Sequence, residues 1–233
     1  MPQNKEIKTE NTVKKAGDVG YVANITLRLL VICALVALLV AGVNAVTKDK
    51  IALNAREDTA AALSEIYADD GLHFAVAPLG YDILDANAEQ IGVCEDITPE
   101  ETLADVTAVY EIQKDENVFG YAVAVSPMGF KDNVNMLVAV NADGSAKAVQ
   151  IISLSETKGS GDKVTKSDFL DKFKNQKAGF SDDAATLSDI VIAGATRTSE
   201  PVTKAVDTAL KQIAVLAGET GVQENTVTEE ESK

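Results

Sequence analysis

The sequence is poor in the residues that catalytic and metal sites most often use. It contains one histidine, two cysteines and no tryptophan. A single histidine, His73, argues against a Ser-His-Asp triad and against a multi-histidine metal site. Cys33 lies within an apolar run and Cys94 stands alone in the rest of the chain, so no disulfide framework and no cysteine-based zinc or iron–sulfur site is expected. We therefore expect neither a bound metal nor a hydrolase-type catalytic residue.

Positive charge is also scarce. The chain has 21 lysines and arginines against 36 aspartates and glutamates, which gives a formal net charge of −15. Nucleic-acid binding requires a basic face that neutralises phosphates, so this composition argues against a nucleic-acid partner. The acidic balance is typical of a solvated exterior.

One long apolar run lies near the N-terminus. No polar side chain other than Cys33 occurs in residues 29–43, and the apolar character extends over residues 22–46, about 25 residues and long enough to cross a bilayer. Arg28 lies near the first edge, where its side chain can reach the headgroups. A cleaved signal peptide is the competing interpretation, but the run is long for a signal sequence and the polar leader before it is also long.

We predict a single transmembrane helix over residues 21–46 that contacts membrane lipid, preceded by a polar leader over residues 1–20 that is disordered or frayed. The leader contains more lysines than the segment just after the span, where Lys48 and Lys50 are the nearby cations. The positive-inside rule then places the N-terminus in the cytoplasm and the remaining chain outside the membrane.

The chain beyond the span predicts an α+β domain over residues 69–217. Residues 47–68 have a helical apolar stripe, which indicates either a stalk or a first helix packed on the domain. Residues 69–104 have many turn signals and are predicted to be irregular. Alternating apolar segments then predict an antiparallel sheet, with strands over 107–113, 119–125, 135–141 and 146–152.

The C-terminal part is predicted to be mainly helical. A short helix is expected over residues 167–173, an extended run over 186–192, and a helix from Pro201 whose apolar stripe packs in the core and ends before Gly218. Residues 218–233 read as an acidic, disordered tail.

Residues 193–201 form a turn that leads into this last helix. Backbone N–H groups at a turn and a helix N-terminus favour an anion, and Gly194 allows close approach of a bulky group. Ala195 adds little bulk, and Thr196 places a hydroxyl at the same point. A hydroxyl beside an anion site can bind phosphate or form a phosphoester. The alternative is an ordinary helix cap by Thr198 or Ser199, with Thr196 solvated.

The turn resembles the flavinylation motif of FMN-binding domains in the pattern Gly-Ala-Thr-x-Thr-Ser, residues 194–199. These domains occur in the RnfG proteins of Rnf electron-transport complexes and in the NqrC proteins of sodium-pumping quinone reductases. Residues 156–163, Glu-Thr-Lys-Gly-Ser-Gly-Asp-Lys, resemble the family's Glu-Thr-Pro-Gly-Leu-Gly-Asp-Lys segment. Two such segments in the family's order are more specific than either segment alone.

The chain departs from the family pattern at several positions. Ala193 stands where the family usually has Ser or Thr, and Ile190 stands where it favours Asp, with Asp189 one residue earlier. Lys158 replaces the proline of the second segment and leaves a looser backbone. Ser160 replaces its leucine, which removes an apolar side chain from this loop.

The resemblance implies that Thr196 carries FMN through a phosphoester formed by a dedicated flavin transferase. It also implies an α+β fold, with a single N-terminal transmembrane helix followed by an antiparallel-sheet domain with packed helices. The other implied cofactor contacts lie on both segments: Gly194, Ala195 and Thr198 at the phosphate, and Glu156, Thr157, Gly159 and Gly161 near the flavin.

The implied function is electron relay in an Rnf-type complex that connects ferredoxin and NAD and couples this transfer to Na⁺ or H⁺ translocation. Its partners would be the other subunits of the complex. An NqrC protein of a quinone reductase and a stand-alone anchored flavoprotein are alternatives with the same chemistry. An anchored extracytoplasmic binding domain without flavin is an alternative of another class.

Overall fold

The structure is a computed structural model that describes the backbone of residues 7–224 and the side chains of residues 20–218. The chain divides into two units, Met1–Asn54 and Ala55–Lys233. The first unit is helical over its described length, and the second contains an antiparallel sheet with packed helices. The α+β architecture expected from the sequence is confirmed.

The longest element is helix α1, Ile7–Ile66. Within the described residues, Gly20–Ile66 is the one helical stretch that is long and apolar enough to cross a membrane. Large apolar side chains on it are exposed, for example Leu38 and Leu39, as expected for a surface that faces lipid. The leader over residues 1–20, predicted to be disordered or frayed, is included in α1 from Ile7 onward; residues 1–6 lie outside the described residues.

The C-terminal end of α1 belongs to the second unit and packs on its sheet. Ala60, Ala62 and Leu63 are buried, and Tyr67 directly after the helix is 1% exposed. These side chains form a core cluster with strands of the sheet. Of the two interpretations offered for residues 47–68, the packed first helix therefore describes this end.

The sheet has seven strands in sequential order, all antiparallel. The strands are β1 His73–Ala77, β2 Gly80–Leu84, β3 Gln90–Asp96, β4 Val106–Lys114, β5 Asn117–Val125, β6 Asn135–Asn141 and β7 Ala146–Ser153. Strands β4 to β7 are those predicted from the apolar alternation.

Both faces of the sheet are covered by helices. Successive residues of β6 belong alternately to two different core clusters, one on each face. Met136, Val138 and Val140 belong to the core cluster beneath the last helix, whereas Leu137 and Ala139 belong to the cluster beneath the end of α1. Successive side chains of a strand point to opposite faces, so one buried strand supplies both cores. The strand is therefore apolar at almost every position.

Three helices follow the sheet: α2 Ser167–Leu170, α3 Ala184–Ile190 and α4 Thr196–Glu224. The stripe expected on the last helix is in the core, with Val202, Val206 and Leu210 at most 1% exposed. The predicted bounds of this helix are wrong. It begins at Thr196, five residues before Pro201, and continues past Gly218, so the expected tail begins later; residues 225–233 lie outside the described residues.

Two further predictions are wrong for identifiable reasons. Residues 69–104 contain the short strands β1 to β3, which pair with one another and, through β3, with β4. Their short length and frequent turn residues gave a weak strand signal. Residues 186–192 were expected to be extended, but most of them form α3. The carboxylate of Asp183 accepts hydrogen bonds from the N–H (2.9 Å) and hydroxyl (2.6 Å) of Thr186, and this N-cap starts the helix.

Replacing Leu210 by Ala tests the packing of α4. Leu210 is 1% exposed in the larger core, so the Leu210→Ala change is expected to lower the free energy of unfolding by about 2–5 kcal/mol. The exposed Val215 on the same helix is the control, because Val215→Ala is expected to change stability by no more than about 0.5 kcal/mol. Urea unfolding of the full chain in detergent, followed by circular dichroism, measures both values; equal losses would contradict the packing.

Cys94 gives a prediction of pH dependence. Burial, and then the nearby Asp96, raise the pKa of the Cys94 thiol to about 12. A thiol reacts as its thiolate, so Cys94 is expected to stay unreactive toward Ellman's reagent between pH 7 and pH 9 in the folded Cys33→Ala chain. One equivalent should react after denaturation. A native-state reaction that grows across this pH range would show that the thiol is accessible and has an ordinary pKa.

Candidate functional site

A cleft of about 390 Å³ opens where the N-terminus of α4 meets the loop that follows β7. It contains parts of both segments that the sequence singled out, although they are far apart in the chain. The lining residues are Phe130, Glu156, Thr157, Ser160, Gly161, Gly194, Ala195, Thr196, Arg197 and Thr198.

The turn between α3 and α4 presents the helix N-terminus to this cleft. Gly194 has φ +79°, in the left-handed region that glycine adopts without a side-chain penalty. The carbonyl of Ala195 accepts hydrogen bonds from the N–H groups of Thr198 (3.0 Å) and Ser199 (2.9 Å), which puts Ala195 at the N-cap position. Because alanine has no side-chain oxygen to cap the helix, the N–H groups of Thr196 and Arg197 in the first turn of α4 are left for a ligand.

Two hydroxyl groups lie at this helix N-terminus. Thr196 is exposed, and Thr198 is 2% exposed; both line the cleft. The positive end of the helix dipole favours an anion at the same place. The arrangement therefore combines an accessible hydroxyl with a backbone site suited to phosphate.

Ser199 closes the turn from inside the helix. Its fully buried hydroxyl donates to the carbonyl of Ala195 (3.1 Å) and accepts from the N–H of Ile192 (3.0 Å). The preceding Ile190 is 2% exposed within the core. The turn is thus fixed on both sides. Thr198 and Ser199 were the two residues offered as ordinary helix caps. The hydroxyl of Ser199 does bind the backbone just before the helix, although it does so from within the first turn.

A direct hydrogen bond joins the two segments. The hydroxyl of Ser160 donates to the carbonyl of Gly194 at 2.9 Å, across 34 residues of sequence. Thr196, two residues further on, is therefore close to the 156–161 loop, and one bound molecule can contact both. The residue that replaces the family's leucine makes the connection.

Glu156 forms the inner wall of the cleft. Its Oε1 accepts hydrogen bonds from the N–H groups of Phe130 (2.6 Å) and Lys131 (3.1 Å). Its Oε2 is buried and has no hydrogen-bond partner among the described residues. Leaving a buried acceptor unsatisfied costs about 1–3 kcal/mol, so this oxygen is suited to a donor on a ligand.

The remaining expected site residues are distributed unevenly. Thr157 is exposed and lines the cleft, and Gly161 is buried at the start of the 3₁₀ turn Gly161–Thr165. Gly159 has φ +80° but does not line the cleft. Gly159 therefore shapes the loop, whereas Gly161 lies at the site itself.

Phe130, Ser160 and Arg197 line the cleft but were not among the residues expected to contact a cofactor. The guanidinium carbon of Arg197 lies 4.6 Å from the centroid of the Phe130 ring, and Phe130 is 49% exposed. The pair provides a cation beside an accessible aromatic surface. Phe130 is distant in sequence from both segments and reaches the cleft only in the folded chain. The one feature of the sequence that marks it is its position beside Gly129, in a loop that contains glycine and proline.

These features fit a ligand that has a phosphate, a flat apolar ring and hydrogen-bond donors. The N-terminus of α4 and Arg197 suit the phosphate, Phe130 offers an aromatic surface, and Oε2 of Glu156 needs a donor. The volume of the cleft is within the range of small-molecule sites. FMN has all three chemical parts. In the part of the chain with described side chains, no three His, Cys, Asp or Glu residues are grouped to hold a metal ion.

Comparison with known families assigns both parts of the chain. A family model for the FMN-binding domain matches residues 129–211, which contain the whole cleft. A second model, for the RnfG N-terminal region, matches residues 24–66 within α1.

Parts of the chain are also similar to individual known proteins. The chain is 34% identical over 113 residues to a subunit of the proton-translocating ferredoxin:NAD(+) oxidoreductase complex of Clostridium ljungdahlii. The aligned region covers 47% of this chain and 61% of that relative, so it spans about three fifths of the relative's length. Among solved structures, NqrC of Shewanella oneidensis matches with a TM-score of 0.40 and 22% identity, covering 55% of this chain and 69% of that one. The chain therefore contains an FMN-binding domain preceded by an RnfG-type N-terminal region.

Proposed function

We propose that this chain is the FMN-bearing subunit of an Rnf-type complex, in which it relays electrons between ferredoxin and NAD and supports Na⁺ or H⁺ translocation. The RnfG-type N-terminal region favours this assignment over an NqrC protein of a quinone reductase. The relative from Clostridium ljungdahlii is a subunit of such a ferredoxin:NAD oxidoreductase complex. Its partners would be the other subunits of that complex.

One observation supports the attachment of FMN at Thr196. The hydroxyl of Thr196 is exposed at an uncapped helix N-terminus, in a cleft that also contains the 156–161 loop. A phosphoester at Thr196 would place the FMN phosphate against the first N–H groups of α4, where the helix dipole stabilises it. A flavin transferase would supply FMN as a phosphoanhydride: the bond from the Thr196 oxygen to phosphorus forms as the anhydride P–O bond breaks, the phosphate-bearing leaving group departs and the hydroxyl proton is released. The exposure of Thr196 permits the transferase to approach.

The chain's own residues would position the cofactor and control access to it. Gly194 and Ala195 leave room at the phosphate, and the hydroxyl of Thr198 is placed to donate to it. Thr157 and Glu156 face the remainder of the cleft. Bound FMN supplies the redox chemistry, accepting and donating one or two electrons. No residue of the chain needs to act as a nucleophile or general acid toward a substrate.

Covalent attachment has a physical advantage for an anchored carrier. A tethered cofactor cannot diffuse away and stays at high effective concentration near its partners. The apolar stretch within Gly20–Ile66 would hold the protein in the cell membrane as a single-pass helix. The lysine-rich leader then places the N-terminus in the cytoplasm and the FMN domain on the outer face.

Replacing Thr196 tests the attachment site. The full chain is expressed with a flavin transferase and denatured, and flavin fluorescence is measured in the protein band of a gel. Thr196→Ala is expected to lose this fluorescence completely because no oxygen remains to form the ester. Thr196→Ser keeps a hydroxyl and should retain part of it.

Thr208→Ala is the matched control. Thr208 lies on the same helix, and its hydroxyl donates to the carbonyl of Lys204 (3.0 Å), away from the cleft. This variant should be labelled like the parent chain. Fluorescence that survives Thr196→Ala would place the flavin elsewhere. An unlabelled parent chain would instead favour an anchored binding domain without flavin.

Ser199→Ala tests whether the turn must be held in place for attachment. The change leaves the N–H of Ile192 without its buried acceptor, so it is expected to lower the free energy of unfolding by about 1–3 kcal/mol. Flavin attachment at Thr196 should also slow, since the turn loses its internal support. Urea unfolding and a time course of gel fluorescence measure the two effects. A destabilised variant that is labelled at the parent rate would show that the hydrogen bond serves stability alone.

A further inference from the structure

Glu156 is held in one position by the backbone of another loop. Its Oε1 accepts two hydrogen bonds from consecutive N–H groups, those of Phe130 and Lys131. This leaves Oε2 as the free oxygen of the carboxylate, buried and without a hydrogen-bond partner among the described residues. Glu156 and Thr196 line the same cleft.

Two glycines make room for this carboxylate. A Cβ atom at Gly161 would lie 2.7 Å from Oε2 of Glu156 and 3.0 Å from the hydroxyl oxygen of Thr198. A Cβ atom at Gly129 would collide with Oε1. Any side chain at either position would therefore displace the carboxylate. The closeness of Gly161 to both groups also puts Oε2 on the same side of the cleft as the N-terminus of α4.

We propose that Oε2 of Glu156 accepts a hydrogen bond from FMN, from the ring N–H or a ribityl hydroxyl, and that its charge lowers the flavin's reduction potential. The inference rests on the proposed function, and assigns Glu156 a positioning and tuning role within it. FMN offers both kinds of donor, whereas its phosphate offers only acceptors and would be repelled by the carboxylate. The phosphate therefore belongs at Thr196, and the donor-bearing part of FMN at Glu156.

The direction of the effect on potential follows from charge. Reduction of a flavin adds electron density to the ring, and a fixed negative charge in a poorly solvated wall opposes this addition. Glu156 therefore stabilises the oxidised cofactor relative to the reduced one. Arg197, which is exposed beside Phe130, has the opposite charge and is screened more strongly by solvent.

Glu156→Gln is the decisive variant because it keeps the size of the side chain. The amide oxygen can still accept from Phe130 and Lys131, while the amide nitrogen replaces Oε2 and is a donor. Labelled protein is expected to show a higher midpoint potential in a spectroscopic redox titration. The expected shift is at least tenfold in the ratio of reduced to oxidised flavin, about 30 mV for a two-electron couple.

Glu111→Gln is the matched control. Glu111 is half-buried on β4, outside the cleft, and accepts a hydrogen bond from Gln113 at 2.5 Å. Its replacement should leave the flavin potential unchanged. An unchanged potential in labelled Glu156→Gln would overturn the proposal. If Glu156→Gln does not fold, as judged by circular dichroism, Glu156→Asp, which withdraws the charge by one methylene, must raise the potential for the proposal to stand.

A titration with free FMN separates this inference from the proposed covalent attachment. Unlabelled parent chain and unlabelled Glu156→Gln are titrated with FMN, and quenching of flavin fluorescence is followed. Glu156→Gln is expected to bind about tenfold more weakly, because a hydrogen bond to a charged acceptor is lost. Equal affinities would overturn the role of Glu156 even if Thr196 carries flavin. An unlabelled Thr196 with weaker binding by Glu156→Gln would overturn the covalent attachment alone.

Discussion

The hydrogen bond from Ser160 to the carbonyl of Gly194 is the contact on which the site depends. It joins two exposed loops that share no secondary structure and lie far apart in sequence. It adds to the packing of Val164, just after the 156–161 loop, in the same core cluster as Val202 of α4. Loops of this kind tolerate sequence change, and function is commonly placed on them because a rigid scaffold can fix their ends. Here residues on either side of both loops pack in the larger core: Leu154 and Val164 flank the 156–161 loop, and Ile190 and Val202 flank the turn.

The scaffold is fixed by the burial of both faces of the sheet. One face packs against α4, and the other packs against the end of α1. Because Val202 and Val206 are fully buried, α4 cannot rotate or slide without exposing apolar surface. The N-terminus of the same helix forms the phosphate end of the cleft. Packing that is required for stability thereby sets the position of Thr196.

The sequence predicted elements well where the local signal and the tertiary environment agree. Strands β4 to β7 gave a clear signal because they are rich in apolar, often β-branched residues that fill two cores. Strands β1 to β3 are stabilised by their neighbours, and α3 by the Asp183 cap, so their own residues gave a weak or misleading signal. The turn at Thr196 could be predicted because consecutive residues, 194–199, form it. Phe130 and Ser160 were missed as cleft residues because each meets the turn only after folding.

The two departures from the family pattern nearest the site have a common physical interpretation. Ala193 removes a small hydroxyl from the turn, and Ser160 introduces one on the opposite loop. In the structure the Ser160 hydroxyl binds the carbonyl of Gly194, the residue next to Ala193. This hydrogen bond holds the 156–161 loop, which carries Glu156, next to the turn that carries Thr196.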